Sequence, residues 1–527
     1  MALPGEESCR EVSACGESTY GDLPDDAQVQ YVDGSYRGAV SDGSAEQPWT
    51  TIQDAVDAAA ADELVAIAAG VYPEDVSITH PVRLHGRCPR LVEIRGQGTQ
   101  VTTLQLRQGA AGSQVRGLSV TGPGAGIVVA GAEDVVIGEM WVHDTDERGI
   151  DVEDTLGVSS VVIEHSLFER CGQFGVFIVG CAATLDGVVV RDTVESDVAA
   201  SGRGLYVGAN EDTGRRATVG VRGSVIQRNV DVGLFVAGSD ATLDGIVVRD
   251  TRSRASDGEG GRGISLSSTL GDPASVEITG CVVEGNRNAG VFVGNSRATL
   301  DATTIRNTLA QPNGTSGRGL NVQWIDPETS GAATQPADVV VRSSLIEGNR
   351  DVGVLVSGSK LVLEATAVRN VLPKELNGTR GRGVQAQESA TLVMRHSAVE
   401  KTHEFGVLVT ESTATLEAVL VHGTSPTQAT GGYGDGVAVV SEPGPSSVTV
   451  SASRISSNAR AGITNFGGLA TVASTTLDCN PIQLNGQEYW GIEFSFHDAG
   501  DNVCGCGGES LACSVVSAGL EPPAPEP

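Results

Sequence analysis

Ionisable side chains are densest in one stretch of the sequence, WVHDTDERGIDVEDT, residues 141–155. A further histidine follows one repeat later. A base, an acid and an arginine that holds a carboxylate are the groups that a polysaccharide lyase, epimerase or hydrolase requires. The sequence therefore gives six candidate catalytic residues: His143, Asp146, Arg148, Asp151, Glu153 and His165.

The same stretch also suits a solvated acidic patch or a patch that binds cations, because acidic residues are common throughout this chain. Asp and Glu number 66 against 35 Lys and Arg. Calcium could bind such carboxylates, although the sequence has neither an EF-hand nor a nonapeptide calcium repeat. No cofactor is required by any motif, and the ligands of a metal cannot be assigned from sequence.

The chain repeats itself. Residues 229–250 read NVDVGLFVAGSDATLDGIVVRD, and residues 286–307 and 349–370 are close copies. A turn of 21 residues alternates with a longer, variable one. Three short apolar runs in 21 residues, with no helical pattern, fit one coil of a parallel β-helix. Asn or Asp closes most coils, and we expect one polar row along one edge of the stack, formed by Asn229, Asp250, Asn286, Asn307, Asn349 and Asn370.

The N-terminal region predicts a short capping helix. In WTTIQDAVDAAA, Thr50 and Gln53 have the spacing of a capping box, and Ile52 with Val56 forms one apolar stripe. The segment TIQDAVDAAAADELVAIAAGVYPEDVSI, followed by PVRLHGR, resembles the opening of pectin-lyase-like right-handed β-helix proteins, including pectin methylesterases. This resemblance spans about residues 30–95 and implies a right-handed solenoid, whereas the esterase and polygalacturonase catalytic motifs have no counterparts downstream.

A polar floor is predicted on the strands that follow the long turns. Alternation along each strand turns one set of side chains outward. In addition to Asp151 and Glu153, the outward side chains that could bind a ligand are Tyr206, Asn321, Gln323, Gln385 and Gln387. The intervening short coils turn out an apolar row that includes Phe177, Phe235 and Phe292. Insertions on both sides could wall this floor for an extended polysaccharide or fold over the apolar row and bury it.

Arginine recurs just before the outward strands, in Gly-Arg-Gly at Arg203, Arg262, Arg318 and Arg382. Guanidinium groups at this spacing could pair with the carboxylates of a uronic-acid chain. They could instead form structural bonds at a corner of the coil, and we favour that interpretation.

Composition narrows the partners and the compartment. A formal charge of -31 makes nucleic acid an improbable partner, and no segment is apolar enough to span a membrane.

Seven of the ten cysteines lie near the ends, which favours disulfide bonds over a metal site there. Cys171, Cys181 and Cys281, within the repeats, are expected to be buried thiols. We expect a protein that is secreted or attached to a bacterial cell surface, with its export signal outside this sequence.

These observations predict an all-β protein, a single right-handed parallel β-helix over residues 60–480. A segment with a capping helix precedes it at residues 1–59, and a Cys-rich cap with a Pro-rich tail follows at residues 481–527. The expected function is binding of extracellular polysaccharide, or a structural or adhesive role at the surface. The alternative is an enzyme acting on a uronic-acid-type polymer. The oligomeric state, the glycan and the question of catalysis stay open at this stage.

Overall fold

The computed structural model describes residues 1–23, 28–196, 201–327, 333–442, 444–507 and 511–523. The chain divides into two compact units, Met1–Asp257 and Gly258–Pro527, which we call the first and the second unit. In each unit, short strands form three stacks, A, B and C, and each coil passes through them in that order. Neighbouring strands of a stack pair in parallel, as the repeat predicts.

The strands of the first unit fall into these three stacks. Stack A contains Val29–Val32, Glu63–Ile67, Val82–Gly86, Gln114–Arg116, Val135–Gly138, Ser160–Glu164, Ala182–Asp186, Thr218–Arg222 and Asp240–Asp244. Stack B contains Gly70–Tyr72, Val92–Arg95, Ser119–Gly122, Trp141–Thr145, Leu167–Glu169, Val189–Arg191, Val225–Gln227 and Val247–Arg249. Stack C contains Val76–Ile78, Thr102–Leu106, Ala125–Ala130, Ile150–Glu153, Gln173–Val179, Gly202–Gly208 and Val232–Ala237.

The second unit repeats this arrangement. Stack A contains Ser275–Thr279, Arg297–Asp301, Asp338–Arg342, Lys360–Glu364, Thr391–Arg395, Thr413–Glu417, Ser447–Ser451, Leu469–Ala473 and Ser495–Asp498. Stack B contains Val282–Glu284, Thr304–Arg306, Leu345–Glu347, Ala367–Arg369, Ala398–Glu400, Leu420–His422, Arg454–Ser456, Thr476–Asp478 and Val503–Gly505. Stack C contains Arg262–Ser267, Ala289–Gly294, Arg318–Gln323, Val352–Ser357, Arg382–Gln387, Phe405–Thr410, Asp435–Val440, Ala461–Phe466, Ile482–Gln487 and Val515–Val516.

Alternating apolar side chains fill the inside of the coils. In stack C of the first unit, Leu205 and Val207 point inward and are fully buried, and Leu234 and Val236 occupy the same register in the next coil. Side chains between them point outward, as the period of two requires. The predicted fold class, an all-β parallel solenoid, is therefore confirmed. The domain limits at residues 60 and 480 stay a prediction, because strand pairing does not define where a cap begins.

The capping helix covers Ile52–Ala58, and Ile52 and Val56 are buried as expected. The cap residue is Thr51 rather than Thr50, since the Thr51 side chain accepts a hydrogen bond from the Asp54 amide. The carboxylate of Glu74 accepts two further amides of the first turn, from Ile52 at 2.8 Å and Gln53 at 3.0 Å. Glu74, within the segment that resembles the opening of pectin-lyase-like proteins, thus has a structural role, because its carboxylate accepts amides at the open end of the helix.

The polar row exists, but in half of the coils it lies one residue beyond the predicted position. Asn349 is fully buried, with Nδ2 donating to Ile305 O at 3.2 Å and Oδ1 accepting from Thr308 N at 3.0 Å. Asn307 instead has a positive φ of 54° and is exposed in the turn, and Thr308 takes the buried place. Asp250 and Asn370 are likewise exposed turn residues. Asn suits both positions, because it tolerates the left-handed turn and also bonds backbone groups.

Cysteines behave largely as their positions predict. Disulfide bonds join Cys15 to Cys88, Cys479 to Cys506 and Cys504 to Cys513. The three thiols within the repeats are buried, whereas Cys9 is free and exposed. Over the described ranges, no helix is long and apolar enough to cross a membrane.

Candidate functional site

A cluster of aromatic rings lies on the outer face of stack C in the first unit. Parallel pairing aligns Phe177 with Tyr206 and Tyr206 with Phe235. The Phe177 and Tyr206 rings stack, with centroids 4.9 Å apart and planes 10° apart, and Phe235 lies 5.6 Å from Tyr206. Phe174 joins them at 4.9 Å from Phe177. We call these four half-buried rings the aromatic platform.

Backbone geometry lets the central ring lie flat. A Cβ atom on Gly208 would stand 2.5 Å from the Tyr206 ring, so the glycine makes room for the ring along its own strand. Burial raises the pKa of the Tyr206 hydroxyl. The sequence predicts Tyr206 as a ligand contact, and its half-exposed ring is consistent with that role.

Two arginines border the platform. The Arg148 guanidinium lies 4.0 Å from the centre of the Phe177 ring, and that of Arg203 lies 4.8 Å from the centre of the Phe235 ring. Arg203 also donates to Asp231 at 2.9 Å. Cation–π contacts and ion pairs of this kind hold the guanidinium planes in place. The structural interpretation of the Gly-Arg-Gly arginines is consistent with these contacts.

The acid at the end of the platform is Asp151, which pairs in register with Phe177. Asp151 is only 6% exposed and forms an ion pair with Arg148, while its Oδ1 has no hydrogen-bond partner among the described residues. Burial raises the pKa of Asp151 to about 6, with Arg148 opposing that rise and the nearby Glu153 adding to it. This carboxyl group can therefore exchange a proton near neutral pH.

Three of the six candidate catalytic residues lie together. Asp151 and Glu153 share one face of the stack C strand Ile150–Glu153, and Arg148, just before that strand, forms an ion pair with Asp151. His143 is on stack B, where its ring stacks on Trp141 at 4.0 Å and its Nδ1 contacts Asp144 at 2.7 Å.

The remaining two candidates are in turns. Asp146 is exposed between the strands Trp141–Thr145 and Ile150–Glu153. His165 is exposed in the turn that leads from stack A to stack B. Adjacency in sequence does not make one site, because the coil turns between successive stacks. A proton-handling role for these residues stays a prediction.

The polar floor in the second unit is covered. Asn321 and Gln385 point outward in the predicted register, but they are only 5% and 1% exposed. Gln385 accepts from Arg382 at 2.9 Å and donates to Gln387 at 2.5 Å, and both Gln323 and Gln387 are half-buried. The expected exposure of this floor is therefore wrong for Asn321 and Gln385, because neighbouring chain segments bury it.

Two contacts show how the cover forms. Ile325, in a long insertion, packs so closely on Gly294 that a Cβ atom added to this glycine would stand 2.6 Å from the Ile325 side chain. The Ile325 amide also donates a hydrogen bond to Asn295. Farther along the same unit, Tyr433, Tyr489 and Leu520 pack over a buried cluster that contains Phe405 and Phe466. The row of outward rings is thus covered in the second unit and half-open in the first.

The sequence pattern does not single out Phe174. Its strand register places it beside Arg203, at the position that other coils give to arginine or valine. A comparison of residues at that one register would detect it. Asp231 is missed as well, and its place immediately before the strand Val232–Ala237 is the signal.

A metal site finds little support near the C-terminal cysteines. Ligand atoms of Asp478, Cys479 and Cys506 lie within 4.8 Å of one another. Both sulfurs are joined in a disulfide bond, which leaves no thiolate for a metal ion. Calcium binding by the acidic residues stays a prediction.

Comparison with known proteins identifies the class of fold. Residues 274–480 match the family described as "Right handed beta helix region". Together with the parallel strand pairing, this match defines a right-handed parallel β-helix and confirms the predicted resemblance at the level of the fold. Comparison with curated proteins gives no match.

Solved structures with similar folds are distant. The catalytic unit of an α-1,3-glucanase from Streptomyces thermodiastaticus has 14% identity and a TM-score of 0.41, covering 92% of this chain and 70% of that one. A mutant periplasmic alginate epimerase has 10% identity and a TM-score of 0.35, covering 83% and 79%. A pectate lyase has 11% identity and a TM-score of 0.28, covering 69% and 75%. At these values the likeness carries no inference about activity.

Proposed function

We propose that this protein binds an extracellular polysaccharide on the aromatic platform of the first unit. One observation supports this above the others: the outward rings stay half-open there, whereas the equivalent row of the second unit is covered. Flat aromatic rings present large apolar surfaces at low cost in conformational entropy, and they suit the apolar faces of sugar rings. Arg148 and Arg203 at the border would favour a glycan that carries carboxylates.

The three disulfide bonds support a location in an oxidising compartment, either secreted or on the cell surface. A chain with a net charge of -31 would bind an anionic polymer only through local cations or bridging calcium. The test therefore starts with a glycan array read with and without added calcium. Uronic-acid polymers and neutral glucans are both included.

The decisive variant is Phe177→Leu with Tyr206→Leu, because leucine keeps an apolar side chain and removes the ring. We expect binding of the selected oligosaccharide to weaken by about tenfold or more, as measured by calorimetry. Trp490→Leu is the control, since Trp490 is 72% exposed and lies outside the platform. Unchanged affinity in the double variant, or an equal loss in the control, would refute the platform.

A second candidate function is cleavage of the bound polymer, and the environment of Asp151 favours it. A buried carboxyl group with a pKa of about 6 is suited to act as a general acid, and Glu153, two residues later on the same face, offers a second carboxylate. We expect Asp151→Asn to retain oligosaccharide binding and to lose turnover. Turnover is measured by chromatography of the products and by the ultraviolet absorbance of unsaturated ends. Turnover unchanged in Asp151→Asn and Glu153→Gln would exclude this chemistry.

A further inference from the structure

A polar groove lies between the N-terminal segment and stack A of the first unit, remote in sequence from the aromatic platform. Residues 10–23, called the strap, run beside the strand Val82–Gly86, and the disulfide bond between Cys15 and Cys88 joins the strap to the turn just after that strand. Two adjoining cavities of about 440 and 580 Å³ open there, and Asp22 and His85 line both of them. Volumes of this size are typical of ligand sites.

Basic side chains from successive coils line this groove. Arg83 and His85 project from one strand, and His85 pairs in register with Arg116 on the next. The Arg116 side chain crosses Gly138, where a Cβ would collide with its Nη1. The absence of a side chain at Gly138 therefore gives Arg116 its path along the sheet.

Arginine side chains are concentrated at this groove. Arg10, Arg83, Arg87 and Arg116 line it together with His85 and His165, against the carboxylates of Asp22 and Glu139. The whole chain carries -31. Glu6 pairs with Arg10 and Glu164 pairs with Arg116, which leaves Arg83 and Arg87 as the groove guanidinium groups without a carboxylate partner among the described residues. These two groups supply the attraction for an anion.

The protein satisfies these cations only in part. Arg116 pairs with Glu164 at 2.6 Å and Arg10 pairs with Glu6 at 3.0 Å. Arg83 donates through Nε to the Asp62 carbonyl at 3.0 Å, and Arg87 donates to the carbonyls of Cys15 and Gly16. The His85 imidazole is half-buried and has no hydrogen-bond partner within the described ranges. Burial lowers the pKa of His85, with Arg116 lowering it further and Glu139 and Asp22 acting in the opposite direction. A half-buried ring beside guanidinium donors is the arrangement that an incoming anion would complete.

The corner of the coil supplies a second feature. His165 has a φ of 46° in the turn from stack A to stack B, where the next three coils have Gly187, Gly223 and Gly245 with similar positive φ. Histidine tolerates this conformation, and His396 takes the same corner in the second unit with a φ of 49°. His165 therefore adds an imidazole to the lining of the groove without backbone strain.

We propose that this groove binds a tetrahedral oxyanion of the sulfate or phosphate type, held by Arg83, Arg116 and His85. Guanidinium forks match the oxygens of such groups, and the imidazole supplies a further donor. The cavities exceed the size of a single ion, which leaves room for the molecule that carries it. The groove is a separate site and does not depend on glycan binding at the platform.

The test titrates the full protein with inorganic sulfate, inorganic phosphate and a sulfated oligosaccharide, monitored by calorimetry and by the imidazole resonances of His85 and His165. We expect shifts of both resonances, and we expect Arg116→Gln and His85→Gln each to weaken binding by about tenfold or more. Arg222→Gln is the matched control, because Arg222 pairs with Asp186 at 2.8 Å on the same stack outside the groove.

Each outcome bears on the proposal. Binding of inorganic ions identifies the anionic group alone as the ligand, whereas binding of only the sulfated oligosaccharide identifies a group carried on a polymer. Failure of all three probes overturns the proposal, and so does equal binding by the wild type and both groove variants. Circular dichroism verifies that the variants are folded before affinities are compared. Loss of glycan binding in the platform variants leaves these results unaffected.

Discussion

At the scale of single residues, Asp151 is notable because its pKa is raised to about 6. Its carboxyl group is buried beside Arg148 and Phe177, and burial outweighs the ion pair in setting its pKa. Alternation along the strand predicts that Asp151 faces outward, and it does. Sequence could not reveal its burial, because that depends on the rings of the following coils.

Replacing Asp151 with Asn should change how stability depends on pH. The pKa of Asp151 rises from 3.8 to about 6 on folding, so the folded state binds a proton that the unfolded state releases between these values. The wild type therefore loses this stability as pH rises through about 6, and keeps it in full below about 4. Asp151→Asn, which stays neutral, should be more stable than the wild type by about 3 kcal/mol near neutral pH.

The measurement is the free energy of unfolding from urea titrations, repeated across the acidic to neutral range. Glu133→Gln is the control, because Glu133 is exposed and is not among the groups that shift the pKa of Asp151. The difference between wild type and Asp151→Asn should vanish at the acidic end. A difference that is independent of pH would mean that Asp151 is not the titrating group.

At the scale of the coil, the polar row shows how far a repeat can be interpreted. The copies predict coil length, parallel pairing and a polar residue at the end of each coil. They cannot distinguish the buried row position from the exposed turn position one residue earlier, because both accept Asn. Contacts separate the two: Asn349 bonds the backbone of the preceding coil, and Asn370 has a positive φ of 54° at the surface.

Substitutions at these two residues should differ strongly in cost. Asn349→Ala leaves the Ile305 carbonyl and the Thr308 amide buried without their partner, which should lower the free energy of unfolding by about 2 to 4 kcal/mol. Asn370→Gly should change it by less than about 1 kcal/mol, since glycine adopts a positive φ readily. Chemical denaturation of both variants measures the difference. Equal costs would contradict the register of the polar row.

At the scale of the whole molecule, the repeat predicts outward rows better than it predicts their cover. Tyr206, Asn321 and Gln385 all point outward by the same alternation along their strands. Of these three side chains, Tyr206 is half-buried, whereas Asn321 and Gln385 are buried. The difference arises from the insertions and the C-terminal segment, whose paths are set by long-range packing such as that of Ile325 and Leu520. A row that is open in one unit and closed in the other cannot be inferred from a coil by itself.

Cysteine chemistry provides a test across both units. The chain has ten cysteines, six of them in three disulfide bonds. The four outside disulfide bonds are exposed Cys9 and buried Cys171, Cys181 and Cys281. Burial raises the pKa of Cys171 and of Cys181 to about 12, so their thiols should not react while the protein is folded.

A thiol reagent should therefore label one cysteine in the native protein, four after denaturation and all ten after reduction in denaturant. Mass spectrometry of the labelled peptides assigns each site, and Cys9→Ser is the control that should abolish native labelling. The ordering follows from burial, because only the exposed thiol reaches the reagent before the coils open. Fast native labelling of Cys171 or Cys281 would show that the coil interior admits solvent there. More than four reactive thiols in denatured, unreduced protein would mean that one of the terminal pairs is not a disulfide bond, which would also weaken the proposed location in an oxidising compartment.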